Sequence, residues 1–379
     1  MGQKKSIIAT IKSYLYVRVL TKFRPNPSKR SFSQVGSEEQ LPIAMICDIM
    51  TWENVCQNHA AISVTPSTWK RTFAYQSAQK IGFFFCEATW SGTVNACWRG
   101  QVYNDRRVYY ENRRNLLKIL ERCKTEGIPT VFWAKEDPVF FQDDVYDFTD
   151  TALRFDYILT TAKECIPKYH ALGHEKVYPW AFGFSKDLYH PPMNTKSLRE
   201  NVAVFAGSWF KDYPYRCKDL VEIFEMVLAA GISLRIYDRN RTFGVSKKPF
   251  PEKYQSYVTD AIPYEKLGDI YRNVEYVINV NTVQDSETMF SRRVYEAMAC
   301  GCIIVSNDSQ GLREQFGENI WYLNQTFDFK QKGKICQQNI EAVFASHTWE
   351  QRMEQLYSIM RNDGSRRNTK QKIEVYQND

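Results

Sequence analysis

The stretch from Ser286 to Phe316, SETMFSRRVYEAMACGCIIVSNDSQGLREQF, constrains this chain more than any other. Arg292 to Met298 reads as a helix, Ala299 to Cys302 as a close turn of small residues, and Cys302 to Val305 as a buried strand. A polar loop, Ser306 to Gln310, completes the unit. A helix that feeds through a tight turn into an apolar strand belongs to a layered α/β domain. Arg292 and Glu296 are four residues apart, and Arg293 lies three before Glu296, so all three can serve one site. A guanidinium fork matches diphosphate oxygens, and a carboxylate matches the two hydroxyls of a ribose. The ion pair alone would be an ordinary surface feature.

The rest of the chain repeats the alternation. Strands are expected at Ile43–Asp48, Gly82–Glu87, Thr130–Trp133, Asp156–Thr160 and Val177–Trp180, then at Val202–Ala206, Ser233–Tyr237, Tyr276–Val280 and Cys302–Val305. Helices are expected at Arg107–Glu126, Lys163–Leu172, Tyr215–Ala229, Tyr264–Asn273 and His347–Met360. The pattern breaks between Phe184 and Asn201, where HPPMNTKSLREN has proline, polar residues and no periodicity. Four segments follow: 1–37, a basic and amphipathic stretch; 38–185 and 186–346, two α/β units; and 347–379, a helix with a polar tail. At 379 residues the chain is long enough for two ordinary domains.

The pieces GIPTVFWAKEDP (Gly127–Pro138), FDYILTTAKECIPKY (Phe155–Tyr169), VAVFAGSWFKDYPYRCKDL (Val202–Leu220), IYDR (Ile236–Arg239) and TMFSRRVYEAMACG (Thr288–Gly301) occur in this order. The series resembles the GT-B glycosyltransferases, and within them the CgeB-like (spore maturation) group. The resemblance implies a GT-B fold: two facing Rossmann-like domains with parallel sheets and a cleft between them. It further implies an acceptor domain first, a nucleotide-sugar domain second, and a last helix that crosses back to the first. Many retaining GT-B enzymes carry two glutamates eight positions apart on the key helix. Here that position is Thr288, and Glu287 sits one residue early.

The candidate site residues fall at expected strand ends, where open parallel sheets bind ligands. For the donor, the resemblance implies Gly207, Ser208 and Trp209 at a phosphate turn, with Lys211 and Arg216 adding charge. It also implies Arg292, Arg293 and Glu296 on the helix, Asp238 and Arg239 at the nucleobase, and Asp285 and Thr288 at the sugar. Candidate catalytic carboxylates are Glu87, Glu136, Asp137 and Glu287, with the choice among them open. Trp90, Trp98 and Trp133 could stack on sugar rings, though buried tryptophans are the commoner case.

Of the 50 Lys and Arg residues, eight lie in residues 1–37, which contain no Asp or Glu; the remainder of the chain carries 42 against 43 acids. The surplus charge is thus local, and the balanced body argues against nucleic acid as a partner. Ile7, Ile8, Ile11 and Leu15 share a helical stripe among lysines, a pattern suited to an anionic membrane surface. There is no membrane-spanning run and no secretory signal. Ten scattered cysteines without a CxxC motif suit reduced thiols and a cytoplasmic location, peripheral on the inner face of the membrane. No metal site is expected, since His170 and His174 lack partner ligands in sequence, and no cofactor is expected. The expected reaction is metal-independent, retaining transfer of a sugar from a nucleotide-sugar donor. The acceptor would be the hydroxyl of a carbohydrate or lipid-linked molecule, in the assembly of surface polysaccharide or another glycoconjugate. Alternatives are a polyol-phosphate transferase of the teichoic-acid type and a non-catalytic GT-B carbohydrate-binding protein.

Overall fold

A computed structural model of the chain describes residues 5–15, 32–33, 41–74, 80–93, 95–193 and 199–376, with the backbone alone at 32–33 and 364–376. Residues 16–31 and 34–37 of the basic segment, and 194–198 of the stretch between the units, lie outside the described residues. The expected α/β alternation forms two parallel sheets. The first runs, edge to edge, Phe32–Ser33, Ala61–Ser63, Ile43–Ile46, Phe83–Glu87, Thr130–Ala134, Tyr157–Thr160 and Val177–Pro179. All its pairs are parallel except the edge pair of Phe32–Ser33 with Ala61–Ser63. The second runs Val258–Thr259, Ser233–Asp238, Glu200–Gly207, Val274–Asn279, Ile303–Ser306 and Trp321–Tyr322, parallel throughout. The central strands Phe83–Glu87, Thr130–Ala134 and Ile303–Ser306 are buried at every position. That burial on both faces explains why they read as unbroken apolar runs.

Local chemistry sets several boundaries. The Arg114–Glu126 helix closes on Gly127, whose φ of 67° needs a residue without a Cβ. Gly301, at φ 77°, does the same inside ACGC, and Cys302 N–H donates to the Ala297 carbonyl at 3.0 Å. The expected helix start at Arg107 is corrected to Arg114. The Asn112 amide holds the preceding loop instead, donating to the Gly100 and Tyr103 carbonyls and accepting from Asp105 N–H. Such side-chain bonds compete with helix formation. The short strands Ala61–Ser63, Val258–Thr259 and Trp321–Tyr322, two or three residues long, escape any periodicity argument.

The last helix, Trp349–Tyr376, continues where a polar tail was expected. Its Trp349, Met353 and Leu356 are buried among Trp133, Trp180 and the strands of the first sheet. The Trp349 ring meets Trp180 and Trp133 edge-on, at 5.4 and 5.8 Å between centroids. Full burial of each such side chain contributes about 1.5–3 kcal/mol, so this helix ties the end of the chain to the first unit. The architecture is the two-unit parallel α/β arrangement of the expected GT-B fold class. None of the described helices is long and apolar enough to cross a membrane.

Candidate active site

The carboxyl ends of three adjacent strands build one wall. Asp48 follows Ile43–Ile46, Glu87 ends Phe83–Glu87, and Lys135 follows Thr130–Ala134. The Lys135 ammonium donates to Asp48 and to Glu87, both at 2.7 Å. Glu87 also accepts from Thr51 Oγ1 and from Asp48 N–H, each at 2.5 Å, and it is wholly buried. Burial and the neighbouring Asp48 charge raise the Glu87 carboxyl, against the pull of Lys135. Burial acts on Asp48 in the same sense, but Lys135 and Thr89 overcome it and hold that carboxyl low.

Glu136 and Asp137 come next in the chain and differ sharply. Asp137 is buried and accepts from Thr160 Oγ1 at 2.7 Å and from Tyr169 OH at 3.1 Å. Glu136 is half-buried and lies near Trp90, which favours its charged form. Burial pushes both carboxyls to about 7, helped at Glu136 by the Asp48 and Glu87 charges and opposed by Lys135. Glu136 is therefore a carboxyl that titrates near neutrality and still meets solvent. The expectation that Trp98 and Trp133 might carry sugar rings is corrected: both are buried, donating to the Val64 and Trp180 carbonyls. Trp90, half-buried, sits among Tyr103, Phe140, Tyr146 and Phe148.

The second wall is a turn of small residues ringed by arginines. Gly207 is glycine because a Cβ there would lie 2.6 Å from the Phe205 ring. Arg239 Nε donates to Ser208 Oγ at 3.3 Å, Arg216 Nη1 to the Ser208 carbonyl at 3.4 Å, and Arg293 Nη2 to the Ala206 carbonyl at 2.5 Å. Among the described residues no carboxylate forms a salt bridge with any of the three. Burial and the Arg293 charge push the Arg216 guanidinium down to about 10. Arg239, although solvent reaches it, is likewise lowered by lost hydration and by Arg293 and Arg292. The arrangement is electrostatically incomplete, and a polyanion at the turn would complete it. The Trp209 side chain lies in the core beside Phe250, so only its backbone faces the turn. Lys211 and Asp285 are exposed, and Asp238 is buried, accepting from Asn240 N–H and the Ser246 hydroxyl.

The structure separates the two arginines of the key helix. Arg292 Nε lies 2.7 Å from Glu296, and the cation stacks over Tyr264 at 5.2 Å. Tyr264 OH donates to Glu296 at 2.5 Å and accepts from Asn54 of the first unit at 2.6 Å. Thr288 and Glu287 also reach the first unit: Thr288 Oγ1 donates to the Thr161 carbonyl, and Glu287 pairs with Lys163 at 3.2 Å. The two walls are close enough for Glu136 and Asp48 to act on the Arg239 charge, and for Glu136 to act on Tyr213. An acidic wall thus faces a cationic one.

Sequence reasoning missed Asp48, Tyr213, Asn54 and Tyr264. Asp48 was reachable, since it follows an apolar strand just as Glu87 and Lys135 do. The others are set by how the units meet, which no local pattern encodes. Among the described residues no three His, Cys, Asp or Glu side chains are grouped to hold a metal ion.

A family model described as glycosyl transferase-like matches residues 225–358, most of the second unit and the start of the last helix. No curated protein matches the sequence. Among solved structures the chain is similar to sucrose-phosphate synthase from Thermosynechococcus elongatus, at 14% identity and a TM-score of 0.49, covering 86% of this chain and 100% of that one. A glycosyltransferase from Rickettsia africae ESF-5 is similar at 9% identity and a TM-score of 0.49, over 85% of this chain and 98% of the other. Anabaena Alr3699/HepE in complex with UDP-glucose is similar at 12% identity and a TM-score of 0.47, over 87% of this chain and 100% of the other.

Proposed function

We propose that this chain is a CgeB-like GT-B glycosyltransferase that moves a sugar from a nucleotide-sugar donor to an acceptor hydroxyl. The observation that carries the reading is the convergence of Arg216, Arg239 and Arg293 on the Ala206–Ser208 turn with no salt bridge to a carboxylate among the described residues. Fixed cations there stabilise the charge that develops on a departing nucleotide diphosphate, the role a divalent metal would otherwise take, and this supports metal-independent transfer. The bond between the anomeric carbon and the diphosphate oxygen breaks, and its electron pair leaves with the diphosphate. The acceptor oxygen forms the new bond, and its proton passes to Glu136, whose carboxyl at about 7 is matched to that task. Glu87 and Asp137 are spent on buried partners and hold the wall in shape. The retention that the resemblance implies requires the acceptor oxygen to enter on the face that the diphosphate leaves, since entry from the opposite face inverts the anomeric carbon. The second glutamate of the retaining pattern is Thr288 here, with Glu287 one residue early.

The acceptor is a carbohydrate or lipid-linked molecule on the way to a surface polysaccharide or glycoconjugate. The basic first 37 residues support a cytoplasmic enzyme, peripheral on the inner face of the membrane. The test is calorimetry and thermal shift against UDP, GDP, CDP, ADP, their sugars and CDP-glycerol, without metal, on wild type and Arg293→Ala. One nucleotide-sugar that stabilises wild type and not the variant supports the reading. Response to CDP-glycerol alone would favour polyol-phosphate transfer, and silence towards all of them would sink the enzyme reading.

A further inference from the structure

We propose that the Ile7–Tyr14 helix docks on an anionic lipid bilayer, held with its apolar face turned outward by polar bonds to the first unit. The helix attaches through its polar side. Ser6 N–H donates to the Arg107 carbonyl at 2.9 Å, Thr10 Oγ1 accepts from Tyr109 N–H at 3.3 Å, and Ser13 Oγ meets Tyr110 OH at 2.9 Å. Lys5 lies over the Tyr109 ring, and Tyr14 meets Tyr110 edge-on. A helix held to a protein body by the hydrophobic effect buries its apolar stripe. Here Ile7 is 69% exposed, Ile8 66%, Ile11 54% and Leu15 48%.

Charge selects the occupant. Residues 1–37 carry eight basic side chains and no acid, so a second copy of this segment would be repelled and an anionic surface attracted. Exposed Tyr109 and Tyr14 beside the stripe suit the depth of the headgroups, where tyrosine concentrates. Beside the helix and against the body lies a cavity of about 480 Å³, whose lining includes Ile8 at the edge of the stripe and Lys12, Arg99, Tyr103, Asp105 and Arg107. Arg107 is paired with Asp105 at 2.8 Å, so Lys12 and Arg99 give the cavity its net positive charge, which suits a lipid phosphate drawn in beside the helix. The Tyr103 ring also lies tilted against Trp90, 5.5 Å between centroids, and Trp90 neighbours Glu136. The cavity beside the docked helix would therefore connect through these two rings to the proposed base.

The proposal deepens the peripheral-membrane reading and rests on it for a lipid occupant; it does not require sugar transfer. The experiment is co-sedimentation of the full chain with phosphatidylcholine vesicles, with and without phosphatidylglycerol, alongside analytical ultracentrifugation. Wild type is compared with Ile7→Ser/Ile8→Ser/Ile11→Ser, whose positions are exposed and whose melting temperature checks folding. We expect wild type to bind the anionic vesicles only, and the variant's partition coefficient to fall on the order of tenfold or more. A folded variant that binds like wild type overturns this surface while leaving the protein peripheral through its other basic residues. No binding of wild type to either vesicle overturns both. A wild-type dimer that the variant dissolves shows a second copy on this face and also overturns the proposal.

Discussion

The Arg292 guanidinium lies 2.7 Å from the Glu296 carboxylate, four residues along the same chain, and the pair is closed between the two units rather than held out to solvent. Glu296 is 3% exposed and also accepts from Tyr264 OH. Through Tyr264 the pair reaches Asn54, whose side-chain oxygen accepts from Ser185 N–H at 2.7 Å. Beside the donor role that the sequence implies for it, the pair is in this structure a strut between units. Glu296→Ala leaves Arg292 buried without its partner, and such a loss costs about 3–5 kcal/mol. Chemical denaturation should show that loss without ligand, and Glu296→Gln should show less of it.

Arg239 should behave in the opposite way. It stands among Arg216 and Arg293 and is lowered by lost hydration and by like charges. Arg239→Ala should leave the ligand-free melting temperature unchanged or higher, because it removes repulsion and no ion pair. It should weaken nucleotide diphosphate binding by about tenfold, the usual worth of one charge-assisted contact. A lower ligand-free stability with intact nucleotide binding would place Arg239 outside the clamp.

How much of this was readable beforehand differs between the two walls. Unbroken apolar strands such as FFFC and TVFWA announced the sheets, and each strand's last polar residue marked the cleft edge. That is why Glu87, Glu136 and Ser208 could be picked out from sequence. The division of labour between adjacent residues could not. Arg292 and Arg293 are neighbours on one helix, yet one turns to Glu296 and Tyr264 and the other to the Ala206 carbonyl. Asp137 and Glu136 are split in the same manner by what packs around them, Thr160 and Tyr169 against Trp90. These outcomes depend on partners brought in from other elements of the same unit, 23 residues away for Thr160 and 87 for Ala206, which no local pattern encodes.

Glu136 sets the expected pH profile. Its carboxyl is raised to about 7 by burial, the Asp48 and Glu87 charges adding to the effect. A general base works as the carboxylate, so transfer should rise as pH increases through about 7 and level off above it. Glu136→Gln should lose about 100- to 10,000-fold in kcat and with it this limb of the profile, while donor affinity by calorimetry stays near wild type. A variant that keeps the rising limb would assign the proton transfer elsewhere.

Lys135 is the remaining cation of the first wall, and its removal is the more revealing change. It is held above the usual lysine range by Asp48 and Glu87, which outweigh burial. Lys135→Met would leave those two carboxylates facing each other in a dry site, where both cannot stay ionised. The single variant should lose about 3–5 kcal/mol at neutral pH, with stability recovering as the pH falls and one carboxyl takes up a proton. The sign follows from linkage: the folded variant would bind a proton that the unfolded chain releases, so acid favours folding. Adding Glu87→Gln to Lys135→Met removes the repelling charge, and the double variant should regain part of the loss and become nearly flat with pH. Urea titrations of both variants across the acid to neutral range check this. A double variant no more stable than the single one would mean that Lys135 supports the wall by its packing and not by its charge.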